Sequence, residues 1–174
     1  MNKKTIFFIA AVTVQTLILV AVPAKKVSAR RTGTLITIKT APVDPYDFLS
    51  GYNVRLSYEI SQPKGIYKLR EDYGDNFTVY VVLKEGDDGI WNAQSVYKDM
   101  PKNIPADCVV IKGRTRGSRV EYGIESYFIP EKHRKEIEQD LRQNLRRAKV
   151  QIKVDKHGNA ALIRLLIDDR VYEY

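Results

Sequence analysis

The residues Ala41-Pro42-Val43-Asp44-Pro45-Tyr46-Asp47-Phe48-Leu49-Ser50-Gly51-Tyr52-Asn53-Val54-Arg55-Leu56-Ser57-Tyr58-Glu59-Ile60-Ser61 change character at Gly51. Pro45 fixes its own φ and holds Asp44 extended, while the Asp44 and Asp47 carboxylates are placed to accept hydrogen bonds from backbone amides a residue or two onward. A rigid corner is expected there. From Val54 the apolar and polar residues alternate, so Val54, Leu56 and Tyr58 share one face while Arg55, Ser57 and Glu59 share the other. A strand with one core face is therefore expected from Asn53 to Ser61, and the chain reads as β-rich.

Working outward, Gly33 to Thr40 is short and rich in β-branched residues, a strand that feeds into the corner. Gln62 to Asp75 holds Pro63, Gly65 and Gly74 among mixed charges and reads as an exposed loop. Asn76 to Lys84 is the strongest strand in the chain, apolar on nearly both faces toward its end, and is expected to be central. Glu85 to Gly89 connects it to a return strand, Ile90 to Tyr97, where Trp91 is either a core plug or an exposed recognition aromatic. After a loop bracketed by Pro101 and Pro105 come strands at Ala106 to Gly113 and Val120 to Phe128. Between them Arg114, Arg116 and Arg119 surround Gly117 in a basic turn, a solvated tip or a contact for lipid headgroups or an acidic partner.

One helix is predicted from Pro130. Acids crowd its first half, Arg142, Arg146 and Arg147 its second, and Ile137, Leu141, Leu145 and Ala148 form a narrow apolar stripe. Lys149 to Val154 and Ala160 to Ile167 then make a hairpin through Asp155 to Asn159, and Arg170 to Tyr174 closes the chain. The expected class is α+β, mostly antiparallel β, with about eight strands in a barrel-like or sandwich arrangement and one amphipathic helix.

An N-terminal hydrophobic anchor precedes this body. Thr5 to Ala24 is 20 residues without charge, about 30 Å of helix at about 1.5 Å per residue, enough for a bilayer core. Residues 1–31 are expected to be a signal anchor with basic flanks, or a signal peptide cut near Ala29 after Val27-Ser28-Ala29. Residues 32–174 are then a single β-rich domain. The net charge of +8 is mostly leader: Lys3, Lys4, Lys25, Lys26, Arg30 and Arg31 stand in residues 1–31 with no acid, which leaves 23 basic and 21 acidic residues beyond. A body so nearly balanced does not build the continuous positive surface that phosphate backbones require, so no nucleic-acid partner is expected. Cys108 is the single cysteine, which excludes an intrachain disulfide and reads as a small core hydrophobe. Neither His133 nor His157 has a ligand-spaced partner, and neither a metal nor a cofactor is expected.

The stretch around Gly51 resembles the bacterial GDYxxLxY family, with Gly51, Leu56 and Tyr58 at the named positions. Asp44-Pro45-Tyr46-Asp47-Phe48-Leu49 is similar to the family's Asp-Pro-x-Asp-Leu-Leu lead-in, and Tyr122-Gly123-Ile124-Glu125-Ser126-Tyr127-Phe128-Ile129-Pro130-Glu131 to its second recurring block. Tyr52 stands where the family has Asp, and Asn53 where it has Tyr. The resemblance implies a domain attached to the cytoplasmic membrane by a single pass and lying on its extracytoplasmic side, not a reaction.

Asp44, Pro45, Asp47, Gly51, Arg55, Leu56, Tyr58, Tyr122, Gly123 and Glu125 are thus the candidate motif surface. Tyrosine gives contact area with a polar tip at low entropic cost, and the expected role is an interaction or assembly module acting with an integral membrane protein. The alternative is a hydrolase-like enzyme using Asp44, Asp47, Glu59 and Glu125 as acid and base. Against it, Asp44 and Asp47 serve equally well as turn caps, and Glu59 and Glu125 as cross-strand partners of Arg55.

Overall fold

A computed structural model of the chain describes residues 2–41, 49–50, 53–128, 148–168 and 170–173. The Asp44 to Asp47 corner, Gly51 and the helix expected from Pro130 lie outside the described residues. Within them the molecule is α+β, and every strand pair is antiparallel.

Helix α1 (Lys3–Thr32) leads into β1 (Thr34–Ala41). Then come β2 (Leu49–Ser50), β3 (Asn53–Arg55), β4 (Ser57–Tyr58), a 3-10 turn (Glu59–Ser61) and α2 (Ile66–Tyr73). A meander follows, β5 (Thr78–Glu85), β6 (Trp91–Tyr97), β7 (Cys108–Arg116) and β8 (Arg119–Glu121). The chain closes with β9 (Ser126–Phe128), β10 (Lys149–Val154), β11 (Ala160–Ile167) and β12 (Arg170–Glu173). Twelve strands among the described residues replace the eight expected: the two motif strands are each broken in two, and Leu49–Ser50 and Arg170–Glu173 add one strand each.

The strands form a sheet in the order β12-β11-β10-β1-β4, a second in the order β6-β5-β7-β8, and a small third, β2-β3-β9. In β1 and β10 the strict alternation puts Ile36, Ile38, Val150, Ile152 and Val154 inward. Val79, Val81, Leu83 and Ile111 come from the second sheet, and all belong to one hydrophobic core. The apolar end of β5 follows from its place between two strands and from a register shift at Val82/Leu83, which buries both of these residues. Trp91 is partly buried and packs against this core.

The segment expected to be a loop contains α2. Gly65 at its start (φ 88) and Gly74 after its end bracket eight residues of which only Ile66 is buried, too short a helix to leave an amphipathic signature. Helix α1 is bent by 41° between Lys3–Leu19 and Pro23–Thr32, at the one proline inside it. Among the described residues no single helix is long and apolar enough to cross a membrane, whereas the two halves of α1 together have the length and composition to do so. The far end of α1 packs on β11 and β10, where Ala29 is fully buried. Gly33 makes that seat possible: a Cβ there would lie 2.4 Å from the Ala29 carbonyl oxygen and 2.8 Å from the Val154 nitrogen.

Candidate functional site

The expected strand from Asn53 to Ser61 breaks at Leu56. Before the break, β3 pairs with β9, Val54 opposite Tyr127; after it, β4 pairs with the end of β1, Tyr58 opposite Thr40. The second block breaks in the same way. The strand expected from Val120 to Phe128, which runs into that block, becomes β8, paired with β7, and β9, paired with β3, and Gly123 (φ 76) turns the chain between them, a backbone state that a side chain would strain. Each block thus passes from one sheet to another, and they cross where they change.

The crossing is held by polar groups reaching from block to block. The Leu56 amide donates to the Glu125 carbonyl at 2.7 Å. The Tyr58 hydroxyl donates to the Ile124 carbonyl at 2.6 Å, and in return the Tyr122 hydroxyl donates to the Ile60 carbonyl. The Glu125 carboxylate accepts from the Tyr122 amide, closing the turn around Gly123. Tyr58 and Tyr122 are 1 % and 6 % exposed. Burial first, and the Glu125 charge second, push both phenols well above the usual tyrosine range.

This corrects the surface reading of these tyrosines, whose rings fill the core and whose hydroxyls satisfy carbonyls left unpaired where the strands break. Leu56 is buried as its alternation requires, but so is Ser57, because the break rotates the chain out of phase. Glu59 is exposed on the 3-10 turn. Arg55 pairs with neither Glu59 nor Glu125. Its partner is Glu121, at 3.4 Å, and Arg116 approaches the other oxygen of the same carboxylate at 3.4 Å.

Beside the crossing is a cleft of about 320 Å³, lined by Arg55, Ser57, Ser61, Arg116, Arg119, Glu121 and Glu125. Arg119 donates to the Ser57 hydroxyl at 3.0 Å. Sequence reasoning placed Arg116 and Arg119 on a separate basic turn; the β7–β8 hairpin folds that turn onto the first motif block. The available signal was the spacing of the arginines around Gly117, which has positive φ (53) at the hairpin tip.

Among the described residues no group of three or more His, Cys, Asp or Glu side chains could hold a metal ion. Cys108 is half-buried, and burial together with the neighbouring Asp107 pushes its thiol up, away from nucleophilic character. Of the four carboxylates considered as acid and base, Asp44 and Asp47 lie outside the described residues, Glu59 faces solvent and Glu125 is committed to a backbone amide.

The fold and site define a β-rich protein in which two separated sequence blocks interlock and share a cleft. The family model for GDYXXLXY proteins matches residues 15–165, and the chain belongs to that family. No curated protein and no solved structure matches it.

Proposed function

We propose that the protein is an interaction or assembly module tethered to the cytoplasmic membrane by α1, its β domain on the extracytoplasmic side, acting with an integral membrane partner. The observation that carries this reading is the crossing of the two blocks: their buried tyrosine hydroxyls and backbone groups are spent on building a wall, and what they leave outside is an arginine-lined cleft in which, among the described residues, no nucleophile and base are in contact. A shape held by buried hydrogen bonds and faced with exposed guanidiniums suits recognition. The length and composition of bent α1 support the tether, and a core shared by two sheets supports the barrel-like form of the domain.

Tethering would place module and partner in one bilayer, raising their effective concentration without any new contact. The test is made on the tagged full-length chain in its host. Intact mass should show residues 1–29 retained, alkaline extraction should leave the protein with the membranes, and external protease on cells with a permeabilised envelope should reach the domain. A soluble chain cut after Ala29, or a domain protected until the cytoplasmic membrane is broken, would overturn the reading.

A further inference from the structure

We propose that the cleft between the two blocks is a binding site for a phosphodiester. Three guanidiniums, Arg55, Arg116 and Arg119, and two carboxylates, Glu121 and Glu125, line it, a net of one positive charge that matches a singly charged anion. The arrangement is loosely neutralised. Arg55 and Arg116 share the one Glu121 carboxylate at 3.4 Å each, with 63 % and 74 % of their side chains exposed, distances at the long end of hydrogen bonding. Among the described residues Arg119 is held only by a neutral hydroxyl, and no carboxylate there lies within ion-pair reach of it. Two forks are thus weakly occupied and a third faces the cleft with its charge unmatched.

The anion's shape is set by what surrounds the arginines. A planar carboxylate would repeat the place Glu121 already takes. A tetrahedral diester offers two charged oxygens to separate guanidiniums and two ester oxygens to the hydroxyls of Ser57 and Ser61, both at the wall of the cleft. The pedestal for these groups is rigid, because Ser57 lies in β4 and Arg119 in β8, and the two tyrosine hydroxyls tie β4 and the turn after it to the segment that directly follows β8, Tyr58 to Ile124 and Tyr122 to Ile60. A lipid headgroup and a free glycerophosphodiester share this chemistry, and the site as built takes either.

The experiment titrates the full-length chain, in micelles of an uncharged maltoside detergent, with glycerophosphoglycerol, and follows phosphorus NMR line width. A parallel arm dopes the micelles with dihexanoylphosphatidylglycerol. Saturable broadening in the first arm assigns the free diester, and broadening in the second arm alone assigns the headgroup; both support the site. The Arg116→Gln, Arg119→Gln double variant should weaken binding by about tenfold or more. Glu121→Gln, which removes the competing carboxylate, should tighten it severalfold, a gain that an unfolded variant cannot give. No saturable binding in either arm, affinities unmoved by these variants, or equal competition by acetate would overturn the proposal. The soluble arm needs no bilayer, so its failure leaves the membrane tether untouched.

Discussion

At the scale of single residues, Tyr58 and Tyr122 decide whether the two blocks hold. Each buries a ring and spends its hydroxyl on a carbonyl more than sixty positions away in the chain. Replacing Tyr58 by Phe keeps the ring and orphans the Ile124 carbonyl, so Tyr58→Phe is expected to cost about 1–2 kcal/mol in urea unfolding at neutral pH. The pH dependence has a definite sign. Both phenols ionise well above their ordinary value of 10.0 in the folded chain, so their contribution is whole below pH 10 and is lost as pH rises toward the folded values. The Tyr58→Phe, Tyr122→Phe double variant should therefore start less stable and lose less between pH 9 and 11.

At the scale of elements, the β10–β11 hairpin is pinned by Asp155. Its carboxylate accepts from the His157 and Asn159 amides, each at 2.9 Å, and from the Asn159 side chain, while the Gly158 carbonyl accepts from the Lys112 amide of β7 at 2.8 Å. Burial works against ionisation, but the bonds from Asn159 and His157 outweigh it and hold the carboxyl below its ordinary 3.8. Asp155→Ala should lower stability by about 1–2 kcal/mol at pH 7. Because the folded value is depressed, the wild-type advantage is present above the unfolded value and vanishes as pH falls through the folded one, which acid titration of both proteins would show.

This hairpin was legible from its turn residues, as were β1, β5 and β10 from their composition and periodicity, since each keeps the same main partner along nearly all its length, β10 for β1, β7 for β5 and β11 for β10. The breaks in β3–β4 and β8–β9 were not. Alternation reports which face is buried, not which strand lies beside it, and Ser57 is buried only because its neighbour changes. Nor does any local pattern say that Arg119 meets Ser57, 62 positions away. Leu56, Tyr58, Tyr122 and Gly123 were therefore found as motif residues while their structural role stayed hidden, and the cleft emerged only with the crossing.

At the scale of the whole molecule, α1 is not an appendage added to a finished domain. Ala29 is fully buried against the first sheet, so Ala29→Asp places a charge in an apolar seat and should destabilise the full-length chain by about 1–3 kcal/mol, read from a thermal or denaturant midpoint. An unchanged midpoint would mean that helix and sheet are independent. The seat also ties the direction of the helix end to that of the strands, because Gly33 leaves no slack between them.

The position of β1 carries a consequence for how the chain comes together in time. The first of the described strands in chain order, β1, lies between β4 and β10, and its Thr40 bonds Ala148, 108 residues further on. The β5–β8 meander needs only near neighbours and forms early, whereas β1 waits with an open edge until β10 has emerged. Nascent chains stalled before Lys149 should therefore hold a protected meander beside a β1 whose Thr34–Lys39 edge is unpaired and aggregation-prone, so that β1 is satisfied only after β10 has followed it.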